Sequence, residues 1–498
     1  MDSRIDRRRF VGIAGGGVVA AAGGAALVRR SRRGGGRPVP DGPNLIVIML
    51  DTLRYDYVGA NGNSWIRTPN MDALARESIR FTRAFPEAMP TVPARRSLIT
   101  SRRVYPWRDW APTRNLPNTP GWTGLAEHEE TWLKLLHGKG YWTGYVTDNP
   151  FLGFSEEWAA LRRGVDYFKK IGGQVGALRP ASSVSMATAR RWLPRDMASG
   201  NYLKGMRQHL ANIGEGRDER KQCAARVFSY ALEALDEARR AQRPFALVVD
   251  SFDPHEPWVP VKKYRDLYGA SDYDGHEPAR VRYRPSEYLT EQELDRLPRL
   301  YAAAVTQTDA WLGHFLSRFY DSGLADDTAI VLLSDHGMVL GDRGWTGKPA
   351  LELHPELIQV PFMLRGPGAP RGGTTSRHFA SPHDVGPTLM ALAGYEPPAS
   401  ARMDGSDLSP LLRGSRPREE RPFWFGGYAN HWYYRDDRWA MIADGNNSGR
   451  ELFDLRRDPG ETTTIGADNL DVMERIYARV LRRTGLDSLP YFGRDDDA

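Results

Sequence analysis

The stretch NLIVIMLD, residues 44–51, joins an unbroken apolar run to a single aspartate. Such a run is typical of a strand that is buried on both faces, as in the middle of a mostly parallel sheet. Two further stretches repeat the pattern, PFALVVD at 244–250 and TAIVLLSDHG at 328–337. Because ligands of open α/β sheets bind at the carboxyl ends of the strands, we expect these polar residues to share one edge.

Helical patterns alternate with these strands, which predicts an α/β sandwich around a mostly parallel central sheet. Helices are expected over 71–80, 131–138, 221–240 and 298–320, the last opening on Pro298. A further strand is expected over 141–146. After about residue 415 the pattern changes to short strand-like pieces and a helix near 470–483. We therefore predict a main α/β domain over 43–415 and a small C-terminal antiparallel sheet with one helix over 416–498.

The positive charge of the chain is concentrated at its N-terminus. The formal net charge is +6, whereas residues 1–37 alone hold nine Arg and two Asp, a net of +7, which leaves −1 for the rest. The body of the chain thus lacks the excess of cations that binding to a phosphate backbone requires, and no nucleic-acid partner is expected. The single cysteine, Cys223, excludes an intramolecular disulfide.

The first 37 residues have the pattern of an export signal and a basic linker. The motif DRRRFV at 6–11 precedes a Gly/Ala-rich apolar run from Val11 to Val28, and the cluster RRSRRGGGR follows. This order resembles a twin-arginine signal, which predicts contact with the twin-arginine translocation machinery and a periplasmic, cell-surface or extracellular protein. The alternative is an uncleaved segment that tethers the protein to a membrane, although the run is poor in Leu and Ile.

Two strand ends carry residues that suit a metal ion. Asp51 directly follows a buried strand, where a carboxylate is costly unless a cation receives it. The motif SDHG at 334–337 places Asp335 and His336 side by side at another strand end. Oxygen and nitrogen ligands together suit a divalent cation such as Mn, Zn, Ca or Mg. An aspartate that caps a turn is the alternative for either position alone.

The motif TVPARRSLITSR, residues 91–102, has the outline of a nucleophile loop that leads into a helix. Thr91 is either an ordinary N-cap of that helix or a nucleophile. In the second case the helix N-terminus and a neighbouring cation would lower the pKa of its hydroxyl. Arg95 would then hold the loop or an anionic group by bidentate hydrogen bonds.

Two more motifs supply candidate proton donors and cations. In DPHEPW, residues 253–258, His255 is either a general acid for a leaving oxygen or part of a rigid surface turn. In GKP, residues 347–349, Lys348 either brings an ammonium to an anionic ester or is simply solvated. Four tryptophans belong to the core or line a pocket for a sugar or aryl group: Trp107, Trp110, Trp258 and Trp345.

Ten short motifs occur along residues 43–484 in the order of a known family. They are LDTLRYDYVG, TPNMDALARES, TVPARRSLITSR, LHGKGYWTGYVTDNP, DPHEPW, SDHGMVLGDRGWTGKP, VPFMLRGPG, HDVGPTLMALAG, MDGSDLSPLL and ELFDLRRDPGE. The chain resembles the sulfatase family within the alkaline phosphatase superfamily, which implies an alkaline-phosphatase-like fold. The resemblance also implies roles for the matching residues: Asp51, Asp335 and His336 bind the metal, Thr91 is the nucleophile and contacts the metal, Arg95 supports the nucleophile loop, and His255 and Lys348 contact the ester and its leaving oxygen.

Three positions depart from the family pattern. The sulfatase signature begins with Cys or Ser, which is oxidised to formylglycine, whereas this chain has Thr91, so no formylglycine is expected. Thr52 stands where many sulfatases have another metal-binding Asp, and TDNP at 147–150 stands where many have a Lys-x-His pair. The pattern is similar to the phosphonate monoester hydrolase and phosphodiesterase branch. His354 and His383 are the spare histidines for a second metal, with ordinary packing as the alternative.

Three functions are compatible with these residues. The favoured one is an exported, metal-dependent hydrolase of small anionic esters or glycans, with sulfate, phosphate or phosphonate as the ester group and Thr91 as the nucleophile. Phosphorus esters fit a threonine better, because a threonine lacks the second hydroxyl through which formylglycine hydrate expels sulfate. The alternatives are a non-catalytic binding protein for anionic glycans and a transferase of phosphoryl-linked groups at the cell envelope.

Overall fold

In a computed structural model of the protein, the apolar run at residues 44–50 forms the first strand of a large sheet. The structure describes residues 40–108, 110–152, 158–269, 273–367 and 373–493. Its strands are β1 Asn44–Leu50, β2 Ile79–Phe81, β3 Ala88–Met89, β4 Trp142–Thr147, β5 Tyr167–Lys170, β6 Phe245–Ser251, β7 Arg284–Pro285, β8 Thr328–Ser334, β9 Val339–Leu340, β10 Trp345–Gly347, β11 Phe362–Arg365, β12 Thr374–Ser376, β13 Trp424–Tyr428, β14 His431–Arg435, β15 Trp439–Asp444 and β16 Glu451–Asp454.

The central sheet has eight strands in the order β12-β2-β11-β8-β1-β6-β4-β5. The strands from β8 to β5 run parallel to one another, whereas β11 is antiparallel to β8. All seven residues of β1 are buried. The prediction of a mostly parallel sheet with β1 inside it is therefore confirmed.

Helices cover both faces of this sheet. They are α1 Pro69–Ala75, α2 Thr91–Thr100, α3 Trp132–Gly138, α4 Ala159–Arg163, α5 Met186–Arg191, α6 Gly200–Ile213, α7 Cys223–Arg240, α8 Lys262–Arg265, α9 Glu291–Asp321, α10 Pro355–Ile358, α11 Val385–Leu392 and α12 Leu470–Thr484. Ile46 and Ile48 of β1 pack into a cluster with α7 and α9, and Val47 packs on the other face with α2, α3 and α11. The two clusters make the predicted α/β sandwich.

The C-terminal sheet has the order β16-β15-β14-β13-β3 and is antiparallel from β13 to β16. Helix α12 packs on it through Val472, Ile476 and Val480. The predicted small sheet with one helix is confirmed, with one addition. Strand β3 lies just before α2 in the sequence and pairs parallel with β13. The predicted main domain therefore contributes one strand to the smaller sheet. A domain boundary at residue 415 stays a prediction.

Two expected helices have different bounds from those that the sequence pattern indicates. Helix α9 begins at Glu291 and not at Pro298. Thr290 and Glu293 form a reciprocal capping box that starts the helix there, so the proline lies inside it. The helix expected over 71–80 ends at Ala75, and Ile79–Phe81 forms β2 instead. The capping box sets the start of α9, and strand pairing of Ile79–Phe81 sets the end of α1. The spacing of apolar residues alone predicts neither bound.

The predicted signal at 1–37 lies outside the described residues, so export and membrane tethering stay predictions. Within the described ranges, no helix is both long and apolar enough to span a bilayer.

Candidate active site

The two predicted strand ends meet at the carboxyl edge of the central sheet. Leu50 of β1 and Ser334 of β8 are partners in the parallel register, so the residues that follow, Asp51 and Asp335, leave the sheet side by side. The ligand atoms of Asp51, Asp335 and His336 lie within 4.8 Å of one another, and all three side chains are fully buried. The sheet register thus builds the cluster that the sequence predicts.

The imidazole of His336 is held in the form that binds a metal. Its Nδ1–H donates to the carbonyl of Gly337 over 2.9 Å, which leaves the Nε2 lone pair facing the carboxylates. Nε2 lies 3.3 Å from Asp335 Oδ2 and 3.9 Å from Asp51 Oδ1. Burial lowers the pKa of His336 to about 4, although Asp335 opposes the shift, so the ring is neutral at pH 7.

Thr52 orients both carboxylates. Its hydroxyl donates to Asp51 Oδ1 over 2.6 Å, and its backbone N–H donates to Asp335 Oδ1 over 2.9 Å. The residue has φ 63°, a left-handed conformation that a β-branched side chain rarely adopts. The hydroxyl of Tyr301 donates to the Thr52 carbonyl over 2.7 Å and helps to hold this conformation. Backbone strain of this kind is typical of functional sites.

Thr91 is the first residue of α2 and lies against the metal cluster. The N-cap position is Pro90, and no side chain caps this helix, so the interpretation of Thr91 as an ordinary N-cap is wrong. The side chain is buried, and its hydroxyl lies 3.4 Å from His336 Nε2. The hydroxyl therefore sits at a helix N-terminus, where the partial positive charge favours a developing anion.

Arg95 lies one helical turn after Thr91, on the same face of α2. Its guanidinium is fully buried among three carboxylates: it contacts Asp335, lies 2.9 Å from Asp51 Oδ2, and lies 2.8 Å from Asp250 Oδ1. Asp250 belongs to β6 and was not among the predicted site residues, although its apolar run ends like those before Asp51 and Asp335. Arg95 thus ties helix α2 to the carboxyl ends of three strands of the sheet.

The buried charges around Arg95 do not balance. Three carboxylates face one guanidinium, so the formal charge of this group is −2. Asp51 Oδ2 is in ion-pair distance of Arg95 but accepts no hydrogen bond from a described residue. Burial and then the neighbouring Asp335 raise the pKa of Asp51 well above its usual range.

A divalent cation fits this imbalance. Two carboxylates, a neutral imidazole and the Thr91 hydroxyl form an oxygen-rich donor set that suits Mn, Zn, Ca or Mg. Its two positive charges would neutralise the excess at the site, and Asp51 Oδ2 would be one of its ligands. Asp51, Asp335, His336 and Thr91 are the residues that would hold the ion.

His255 and Lys348 form a pair beside the cluster. Lys348 Nζ donates to His255 Nε2 over 2.7 Å, while His255 Nδ1–H donates to the carbonyl of Glu256 over 2.7 Å. Burial and then the Lys348 charge hold the pKa of His255 well below its usual range. The imidazole is therefore neutral, and its Nε2 is the acceptor of the hydrogen bond from Lys348. The charge of Lys348 also acts on Asp51, lowering its pKa against the larger effect of burial.

The spare histidines do not join the cluster. His354 lies 3.0 Å from Glu461 through Nδ1, and His383 stacks on Trp424 at 5.5 Å between ring centroids. Among the residues that the structure describes, only one group of three or more His, Cys, Asp or Glu side chains could hold a metal ion, and it consists of Asp51, Asp335 and His336. Trp258 is a core residue whose indole N–H bonds to Pro254, and Trp345 is half-buried beside β9, whereas Trp107 and Trp110 line a separate cavity.

Comparisons with known proteins give consistent matches over this architecture. The family model described as Sulfatase matches residues 43–395, and the model described as N-sulphoglucosamine sulphohydrolase, C-terminal, matches residues 341–483. A choline-sulfatase of Rhizobium meliloti (strain 1021) is 27% identical over 454 residues, which cover 85% of this chain and 82% of that protein. A steryl-sulfatase of Mus musculus is 27% identical over 534 residues, which cover 85% of this chain and 78% of that protein.

The fold also matches a solved structure of a phosphonate monoester hydrolase from Agrobacterium radiobacter. The TM-score is 0.66 at 21% sequence identity, and the match covers 89% of this chain and 95% of that one. At this level of identity the likeness establishes the arrangement of the sheet and helices.

Proposed function

The chain belongs to the sulfatase family of ester hydrolases, and from this membership we propose that it is a metal-dependent hydrolase of anionic esters with Thr91 as its nucleophile. The observation that carries the proposal is the position of the Thr91 hydroxyl, which lies at the N-terminus of α2 and 3.4 Å from His336 Nε2. Asp51, Asp335 and His336 would hold the divalent cation, which supplies Lewis acidity and a lowered hydroxyl pKa when bound.

The proposed reaction has two steps. In the first, Thr91 Oγ1 gives its proton to solvent water and attacks the phosphorus, while the bond to the leaving oxygen breaks and that oxygen takes the electron pair and a proton from Lys348. In the second, water attacks the phosphorus of the threonine ester and gives a proton to the Lys348 amine, while the bond from phosphorus to Thr91 Oγ1 breaks and that oxygen takes the electron pair and a proton from solvent. Arg95 keeps α2 in place throughout, since its guanidinium is tied to Asp250 and Asp335.

The leaving oxygen needs a proton, and the pair of Lys348 and His255 can supply it. Lys348 Nζ donates a hydrogen bond to His255 Nε2 over 2.7 Å. The imidazole is fixed by its bond to Glu256, so the pair presents one defined donor direction. We propose that Lys348 carries the acidic proton and that His255 positions it, instead of a protonated His255 acting alone.

Phosphodiesters, phosphonate monoesters and phosphate esters are the favoured substrates. A threonine ester cannot collapse to an aldehyde as a formylglycine hydrate does, so water must cleave it in line. That second step is ordinary chemistry for phosphorus, and the fold is shared with a phosphonate monoester hydrolase. Sulfate esters form the second candidate class, because the two curated relatives above are named for sulfate esters.

A turnover assay on matched variants tests the proposal. The full chain, loaded with Mn or Zn, is offered aryl phosphate, bis-aryl phosphate, aryl phosphonate and aryl sulfate. Thr91→Val removes the hydroxyl without changing the side-chain shape. Thr100→Val makes the same change at the other end of α2, where the hydroxyl bonds to the Arg96 carbonyl. We expect at least about a 1000-fold loss of phosphorus ester hydrolysis with Thr91→Val and little change with Thr100→Val.

Three results decide between the classes. A phosphorylated Thr91 peptide trapped after rapid acid quench would support the covalent step. Wild-type turnover in Thr91→Val would overturn the role of Thr91. Release from aryl sulfate alone, lost in Thr91→Val, would make the protein a threonine-dependent sulfatase.

A further inference from the structure

A cavity lies at the opposite end of helix α2 from Thr91. It has a volume of about 570 Å³ and is lined by the loop after α2, the end of α12 and the start of β13. Thr91 and Thr100 are nine residues apart on the helix, a rise of about 14 Å. None of the residues of the candidate active site lines this cavity.

The cavity is rich in arginine. Six arginines line it: Arg96, Arg102, Arg103, Arg108, Arg421 and Arg483. Three have carboxylate partners outside the lining, namely Glu129, Asp384 and Glu419. In the described part of the chain, the other three have none, and their guanidinium groups bond to the carbonyls of Ala401, Phe425 and Thr484. Asp404 is the only carboxylate among the described lining residues, so the cavity has an excess of positive charge.

Arg103 is held rigidly at the wall of this cavity. Its guanidinium lies 4.1 Å from the ring centroid of Phe425 and 5.1 Å from that of Trp424. One of its nitrogens donates to the Phe425 carbonyl over 2.8 Å, but its Nε–H has no acceptor among the described residues. Burial lowers the pKa of Arg103 and, although Glu87 opposes the shift, Arg421 and Arg483 add to it. An anion in the cavity would relieve this repulsion.

His383 supplies a second unpartnered group. Its side chain is 1% exposed and stacks on Trp424 with an interplanar angle of 17°. Its Nδ1 has no hydrogen-bond partner within the described ranges. Buried polar atoms are normally satisfied, so a buried nitrogen that lines a cavity and lacks a partner indicates a ligand that supplies one.

We propose that this cavity is a non-catalytic binding site for a ring-shaped ligand that bears sulfate or phosphate groups, such as a sugar sulfate or sugar phosphate. Arginine forks match the oxygens of both groups by bidentate hydrogen bonds. Trp107, Trp110 and Trp424 line the same cavity, and the half-buried Trp110 gives apolar surface for the face of a sugar ring. The volume lies in the range of ordinary small-molecule sites. The proposal does not depend on chemistry at Thr91.

Calorimetric titration of the full chain tests the site. Glucose 6-sulfate, glucose 6-phosphate and glucose are titrated into wild-type protein and into Arg483→Gln. The control is Arg482→Gln, because Arg482 is the adjacent exposed residue of α12 and does not line the cavity. We expect binding of at least one anionic sugar, no binding of glucose, at least about a 10-fold loss of affinity in Arg483→Gln, and less than a twofold change in the control.

Two further variants separate this site from the active site and from loss of folding. Lys348→Met removes a cation at the active site, and it should leave the Arg483-dependent binding unchanged. Arg103→Met should weaken binding as Arg483→Gln does, with the circular dichroism of both variants matching the wild type. The proposal is overturned if glucose binds as well as the anionic sugars, if Arg483→Gln and Arg482→Gln bind alike, or if the binding disappears with Lys348→Met. The sulfate and phosphate sugars distinguish the two anionic groups.

Discussion

The two ends of helix α2 have opposite electrostatic character. At the N-terminal end, Thr91 and Arg95 lie among carboxylates from three strands, and the formal charge of the cluster around Arg95 is −2. At the C-terminal end, six arginines surround a cavity with one described carboxylate. A helix favours anions at its N-terminus and cations at its C-terminus. The charged residues around each end of α2 thus have the sign that the helix dipole favours at that end.

The ends also differ in burial, and this difference sets the size of the expected effects. Arg95, Asp51 and Asp335 are 0% exposed, so any unpaired charge there is costly. The cavity at the other end is open to solvent in part, and the side chain of Arg483 is 56% exposed. Charges in water are screened and contribute little to stability. Substitutions at the N-terminal end of α2, the buried end, should therefore affect stability and catalysis most. Substitutions at its C-terminal end, the arginine end, should mainly affect the binding of an anionic sugar.

The largest effect is expected from removing the buried guanidinium. Arg95→Met should lower the free energy of unfolding by about 3–5 kcal/mol, because it leaves three buried carboxylates without their cation. Arg102→Met makes the same substitution just beyond the other end of α2, where the guanidinium bonds to the Ala401 carbonyl. We expect a change of about 1 kcal/mol or less for Arg102→Met.

Urea unfolding of both variants, followed by circular dichroism in the presence of a chelator, measures this difference. Equal losses for Arg95→Met and Arg102→Met would contradict the distinction between a buried, charge-dense end and a solvated one. A smaller loss for Arg95→Met after addition of Mn or Zn would indicate that a divalent cation replaces part of the missing charge.

A smaller effect is expected from the metal itself. At a free metal concentration about 100-fold above Kd, binding should stabilise the wild type by about 2.7 kcal/mol. Asp335→Asn should abolish this stabilisation, since Asp335 belongs to the three-residue cluster. Asp404→Asn removes a carboxylate at the other end of α2 and should leave the stabilisation unchanged.

Thermal unfolding with and without Mn or Zn, together with metal analysis of the dialysed protein, checks this expectation. Stabilisation by metal that persists in Asp335→Asn would place the ion elsewhere. Loss of stabilisation in Asp404→Asn would show that the arginine end takes part in metal binding.

The metal cluster at the buried end could be predicted from the sequence, because one sequence pattern indicates both a buried strand and the metal-ligating residue at its end. An apolar run that stops at an acidic residue predicts a buried strand with a carboxylate at its end, and two such runs placed Asp51, Asp335 and His336 together. The register of β1 and β8 then brings them into contact without any further information. The seven predicted site residues lie in two groups at this end, although their chemical roles stay predictions.

The other features depend on contacts between distant segments. Arg103 bonds to Phe425, 322 residues further along the chain, so no local pattern predicts the arginine cavity. Thr52 reads as a missing carboxylate in the sequence, whereas its left-handed backbone and hydroxyl orient the two that remain. Asp250 was visible as a strand end, but its bond to Arg95 depends on how α2 packs against β6. The predicted start of helix α9 was wrong for a local reason. Pro298 indicated a helix start, but the capping box at Thr290 starts the helix earlier.

The third effect is a dependence of stability on pH, and here the two ends should again differ. Next to β4, Asp148 is buried close to Asp253, and the side chain of Gln174 donates to both. Burial and then the Asp253 charge raise the pKa of Asp148 from 3.8 to about 7. Arginine stays protonated at all accessible pH values, so the arginines of the other end should add no pH dependence between pH 5 and 8.

The sign of the effect follows from where the proton is held. Between pH 4 and 7 the native protein keeps the proton of Asp148 while the unfolded chain releases it, so the free energy of unfolding falls as pH rises, by at most about 1.4 kcal/mol per pH unit. Asp148→Asn cannot release a proton and should lack this contribution to the slope. The stability of the variant relative to wild type should therefore increase from pH 5 to pH 8 in urea titrations. A difference that stays constant over this range would mean that Asp148 is ionised throughout, and that Gln174 and the Phe252 N–H compensate its burial.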